Sequence, residues 1–148
     1  MELLGPFLRL RRAVAAEAVA VARERATPDE VAELEALAAE LATAQGAALA
    51  EGNLRFARRV VELADNLPML LLFNTVASTL RARPDILEAT LADVAGVRAS
   101  FAAVAQLIDA HRALPPGVDA RTLVRAALEA VDAAALARIE ATPPSEEA

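Results

Sequence analysis

The chain has 148 residues, of which 56% are hydrophobic, 24% charged and 3% aromatic, with a net charge of −6 and no Cys, Trp or Tyr. One domain of this size can build a core without disulfides or a structural metal, and the absence of cysteine excludes thiol catalysis, thiolate-bound zinc, iron–sulfur clusters and a disulfide framework. An acidic chain is a poor nucleic-acid binder by itself, because affinity for phosphates rests on basic patches that release counterions.

The first predicted element is an amphipathic helix, since Leu3, Phe7, Leu10, Val14, Ala18 and Val21 recur on one helical face while Arg9, Arg12, Arg23 and Glu24 fall off it. It stops before Thr27-Pro28-Asp29-Glu30. There Thr27 can cap, Pro28 suits the first helical position and Glu30 completes a capping box, so a second helix starts at Pro28. It buries Val31, Leu34, Leu37, Ala38 and Leu41 and ends near Gly46. A third helix is expected from about Gly52-Asn53, with Phe56, Val60 and Leu63 inward, ending at Asp65-Asn66-Leu67-Pro68, where Asn66 tolerates a C-terminal cap.

Pro68 opens a fourth helix in which Met69 to Phe73 run apolar without interruption, followed by Val76, Ala77 and Leu80. A helix apolar nearly all round belongs at the centre of a bundle. A fifth starts at Pro84-Asp85 and carries Leu87, Leu91, Val94, Val97, Phe101, Val104 and Ile108, with Gly96 placed to kink or split it. Leu114-Pro115-Pro116-Gly117 breaks the chain, and Asp119 caps a last helix with Val124, Leu128, Val131 and Ile139 on its inner face. The sum is an all-α antiparallel bundle of six to seven helices over residues 1–141, with a poorly ordered tail over 142–148.

All 15 basic residues are arginine and alanine is abundant, as GC-rich coding produces and as helices favour. No segment reaches the roughly 18 consecutive apolar residues of a membrane span, and an N-terminus with Glu2, Gly5 and Pro6 lacks the signal-peptide pattern, so a cytosolic setting without a membrane partner is expected.

Three stretches carry a family resemblance. The run from Leu10 to Leu41 resembles the opening two helices of the FCD domain, the effector-binding and dimerising C-terminal half of FadR-type regulators in the GntR family. Asn53-Leu54-Arg55-Phe56-Ala57-Arg58 looks like the family's Asp-x-x-Phe-His-Arg helix start, and Asp65-Asn66-Leu67-Pro68-Met69-Leu70 looks like its Gly-Asn-Pro-x-Leu turn with one residue added. The family's Arg-x-x-Leu-Glu signature is half kept, as Arg11 followed by Val14 and Ala15. The resemblance implies an all-α fold and a non-enzymatic role: binding a small organic effector, pairing into a homodimer and regulating transcription. It also implies a winged-helix DNA-binding half ahead of the first helix. Met1 stands where the linker from that half would join, so the expectation is either a piece of a longer regulator or a stand-alone effector domain that makes no nucleic-acid contact by itself.

Many FCD domains hold a divalent metal with an Asp and a His four apart on the third helix and two more His from later helices. The resemblance puts those positions at Asn53, Ala57, near Ser100 and near Val131. None supplies a carboxylate or an imidazole, so no metal and no cofactor are expected.

Candidate ligand-binding residues are Arg11, Asn53, Asn74, Ser78 and Ser100. Asn53 either faces the family's central cavity or merely caps the third helix while Ala57 packs. Asn74 and Ser78, one turn apart on an otherwise apolar helix, either line that cavity or bond to neighbouring helices. Arg11, Arg58 and Arg59 offer a fork for a carboxylate or a solvated helix face. His111, near the end of the fifth helix, suits that helix's dipole and needs no chemistry. The competing reading of the chain is a degenerate helical scaffold whose pocket is filled and which serves protein–protein interaction alone.

Overall fold

The computed structural model describes residues 4–141, which form helices joined by short connections, with no strand among the described residues. The helices are α1 (Leu4–Arg25), α2 (Pro28–Leu41), α3 (Gly46–Leu63), α4 (Leu67–Ala82), α5 (Pro84–Thr90), α6 (Val94–Ile108) and α7 (Ala120–Ala141). The expected start at Leu3 and the expected tail over 142–148 lie outside the described residues.

At the centre of the bundle is α1, which packs against α3, α6 and α7 and also reaches α4. Its second half explains this place: Ala16, Ala18, Val19, Ala20 and Ala22 are all buried, and side chains this small let neighbours close in on several sides. The core around it is filled by larger residues from elsewhere, with Leu34, Leu49, Leu80, Ile108 and Val124 fully enclosed. A smaller cluster of Leu4, Leu8 and Ala135, backed by Phe7, Ile86 and Ile139, closes the end where α1 meets α7.

The sequence placed α4 at the centre, and the structure corrects this. Only Phe73, Val76, Ala77 and Leu80 of α4 are buried. Leu67, Leu71 and Leu72 are 65%, 58% and 38% exposed, because the alanine-lined α1 holds the position that the leucine run of α4 pointed to.

Three boundaries also move. The end of α2 comes at Leu41, and α3 begins at Gly46, ahead of the expected Gly52, because Gly46 takes a φ of +53° that reverses the chain after α2. Gly52 is left in mid-helix, where a Cβ would run into the buried side chain of Leu41, so its missing side chain is what lets α3 lie against the end of α2. At the end of α3 the left-handed residue is Asp65, with a φ of +49°, and Asn66 instead caps α4 by accepting from the amide of Met69 at 3.1 Å. The break between α5 and α6 falls at Leu91–Asp93 and not at Gly96. Asp93 caps α6 by accepting from the Gly96 amide at 2.9 Å, and a side chain on Gly96 would collide with that carboxylate.

Two arginines satisfy the carbonyl groups left over at helix C-termini. Arg98 of α6 donates twice to the Ala44 carbonyl just beyond α2, at 3.0 and 2.5 Å. Arg23 of α1 donates to the carbonyls of Leu107, Asp109 and Arg112 at 2.7, 2.9 and 2.6 Å, which ties the end of α6 to the central helix. His111 therefore does not serve the α6 dipole as the sequence suggested. It lies exposed beyond the helix, and Arg23 fills that role. Among the described residues no single helix is long and apolar enough to cross a membrane.

Candidate functional site

Inside the bundle, α1, α3, α4, α6 and α7, with Thr90 at the end of α5, leave a cavity of about 130 Å³. Each wall follows from the apolar period of its helix. Val14 and Ala18 come from α1, Phe56 and Val60 from α3, Phe73 and Val76 from α4, Val97 and Phe101 from α6, and Val124 and Leu128 from α7. The rings of Phe56 and Phe101 meet with centroids 5.1 Å apart and planes tilted by 45°, an aromatic corner on one side of the space.

Four polar side chains reach this lining: Arg11, Asn53, Thr90 and Ser100. Two of them spend their hydroxyls on their own helices. Ser100 donates to the Val97 carbonyl at 2.6 Å, and the fully buried Thr90 donates to the Leu87 carbonyl at 2.7 Å. The Asn53 amide has no hydrogen-bond partner among the described residues. Arg11 is held from one corner only, through Nη2, which donates to the carboxylate of Asp132 on α7.

Behind Arg11 lies a small charge cluster. Asp132 is 2% exposed, and Arg12 places its Nε 3.0 Å from the second carboxylate oxygen. Arg12 also comes within 4.0 Å of Glu129, whose side chain is 74% exposed. Burial pushes the Asp132 carboxyl above its usual range, against the opposing pull of Arg11 and Arg12.

Of the residues singled out in the sequence, Arg11, Asn53 and Ser100 converge on this cavity. Asn53 sits in the interior of α3 and caps nothing. The four positions at which the resemblance put metal ligands, Asn53, Ala57, Ser100 and Val131, all line the same space. Their donor set does not fit a divalent cation, for it amounts to one neutral amide, one committed hydroxyl and two side chains without a donor atom. Among the described residues no three His, Asp or Glu side chains come together in a metal-binding group.

Asn74 and Ser78 lie elsewhere. Both are on the exposed face of α4. Asn74 borders an outer cleft shared with Glu51, Arg55 and Arg81, and the burial expected of them fails with the central position of α4. Arg58 and Arg59 serve surface pairs, with Glu62 at 3.0 Å and Glu33 at 2.9 Å.

Sequence reasoning missed Thr90, Arg12 and Asp132. The signal for Asp132 was present, because it lies four residues after Leu128 and so falls on the inner stripe of α7, where an acid needs a partner. Nothing in the spacing of α1 distinguished Arg12 from the solvated arginines around it.

A family model described as FCD domain matches residues 7–130. Neither a curated protein nor a solved structure matches the chain.

Proposed function

The chain belongs to the FCD domain family, and from that premise we propose that it is the effector-binding and dimerising half of a GntR-type transcription regulator, sensing a small organic ligand without a metal. The family is a regulatory one, which accords with a binding role in place of catalysis. The observation that carries the reading is the cavity inside the bundle, where an apolar lining meets a few convergent polar groups, among them Arg11 and the unpartnered amide of Asn53. A ligand there meets side chains of six helices, α5 through Thr90. Its differential affinity for two arrangements of those helices is what would reach attached DNA-binding halves.

Dimerisation is supported by α4. Between Leu67 and Leu80 this helix carries no charge, and its outward side presents Leu67, Leu71 and Leu72 beside Thr75, Ser78 and Thr79. An uncharged, partly apolar face of this kind suits a self-complementary contact between two copies.

A thermal-shift screen with small carboxylates, sugar acids and acyl-CoA thioesters, run with and without chelator, tests the sensor reading. A hit of several degrees that survives chelation is expected. Uniform silence would favour the alternative, a scaffold that pairs with other helices and takes no ligand.

A further inference from the structure

The cavity and the outer cleft share a wall. The cleft, about 660 Å³, lies between the end of α2, α3 and α4. Its rim carries the exposed pairs Arg55–Glu40 at 2.8 Å and Arg81–Glu51 at 3.5 Å, so it is open to water. Among the described residues only Leu54 and Phe73 border both spaces. At that point a single layer of side chains separates a wet cleft from an apolar cavity.

The two residues of this wall are held differently. Leu54 is 4% exposed on α3, a helix gripped by α1, α2 and α4, and a leucine that rotates in place clears less room than a ring. Phe73 is 8% exposed on α4, which buries only four of its sixteen residues and turns Leu71, Leu72 and Asn74 outward. Phenylalanine in a helix has χ1 wells near 180° and −60°, and in a close-packed core the neighbours block one of them. Beside Phe73 the cleft leaves room for the ring on the side away from the cavity. Rotation into that room withdraws a plug without moving the backbone.

The size of the plug suits the space behind it. A cavity of about 130 Å³ is close to the engineered apolar cavities, roughly 150 Å³, that admit a benzene molecule, so a guest that fits needs an opening about one ring across. The polar edges of the cavity offer no comparable opening. Arg11 is tied to Asp132, Ser100 and Thr90 are bonded to their own helices, and Asn53 and Ala57 are too short to clear a passage by rotating.

Resting on the reading of this cavity as the effector site, we propose that Phe73 is its gate. The ring swings out into the cleft between α3 and α4, a guest passes from the cleft over Leu54, and the ring closes behind it.

A chain without cysteine allows a direct test, because Val124→Cys places a single thiol on the far wall of the cavity at a position that is 0% exposed. Its reaction with methyl methanethiosulfonate, a small uncharged thiol reagent, is followed by mass spectrometry in the whole chain. Adding Phe73→Leu is expected to speed labelling at least tenfold. Adding Phe101→Leu, the same change at a ring that lines the cavity but not the cleft, is expected to alter it less than twofold. Passage through a local opening leaves the rate unchanged in low urea, whereas labelling through global unfolding rises with urea. If Phe73→Leu fails to fold by circular dichroism, Asn74→Trp decides: it fills the cleft from an exposed position and is expected to slow labelling at least threefold. Equal acceleration by Phe101→Leu, a rate that climbs with urea, or no response to either Phe73→Leu or Asn74→Trp overturns the gate and leaves the cavity reading standing. Labelling needs no effector, so a silent ligand screen removes the proposed function without touching this result.

Discussion

At Asp132 two guanidinium groups converge on one buried carboxylate, with Arg11 at 18% and Asp132 at 3% side-chain exposure. Removing the acid orphans Arg11 and leaves Arg12 only the exposed Glu129, whereas removing Arg11 leaves Asp132 still paired with Arg12. Asp132→Leu is therefore expected to cost about 3–5 kcal/mol and Arg11→Leu less. The double variant should cost less than the sum, and urea denaturation of the three proteins measures the coupling. The pH dependence of this site has its own sign. Burial raises the Asp132 carboxyl, so the folded chain binds that proton more tightly than the unfolded chain. Stability from this group is greatest below the ordinary Asp range and falls as pH rises through the raised value. Glu17 is the opposite case. The hydrogen bond from Arg121 draws its carboxyl below the usual range, so its contribution is present above that range and is lost as pH falls through the lowered value. Urea midpoints against pH for Asp132→Asn and Glu17→Gln should diverge from the parent in opposite directions. The sequence revealed Arg11, Asn53 and Ser100 through a family's pattern of positions, and the structure brings all three to one space. Asp132 stayed hidden because a single acid on an Ala-rich helix reads as solvated until the neighbouring helix, with Arg11 and Arg12, is laid against it.

The helix starts announced by Thr27 and Asp119 were legible, whereas Asp93 and Asn66 were not read as the caps of α6 and α4 that they are. Thr27 and Glu30 form the reciprocal capping box expected of them, at 3.2 and 2.8 Å, and Thr27→Ala is expected to lower stability by about 1 kcal/mol in urea denaturation. Helix ends that borrow a donor from another element were not legible. Arg98 serves the end of α2 from a distance of 54 residues in sequence, and no local pattern announces such a bond. Arg98→Met should cost about 1–2 kcal/mol and should speed amide hydrogen exchange around the α2–α3 turn ahead of the rest of the chain. The misplacing of α4 has a related cause. Hydropathy measures how much a helix gains by leaving water but not what it packs against. Leucine scores higher than alanine, while the crowded centre of a bundle favours the smaller side chain, which is why α1 occupies it. The start of α3 was unclear because Gly46, Ala47, Ala48 and Ala50 give no periodic signal before Leu49 and Leu54 establish a face.

For the molecule as a whole, the outward leucines of α4 and the inner cavity are separable properties. Leu67→Glu combined with Leu71→Glu alters only positions that are 65% and 58% exposed, so helix content should be unchanged while sedimentation shifts from two chains to one. A mass of one chain for the parent protein at micromolar concentration would remove dimerisation from the proposed function and leave the cavity untouched. The aromatic corner of Phe56 and Phe101 has a practical consequence in a chain without Trp or Tyr. The protein is nearly transparent where those two side chains absorb and fluoresce. An aromatic guest fixed against that corner would therefore supply almost the entire near-ultraviolet circular dichroism of the complex. Occupancy could then be read directly from the guest's own bands, with no probe attached to the chain.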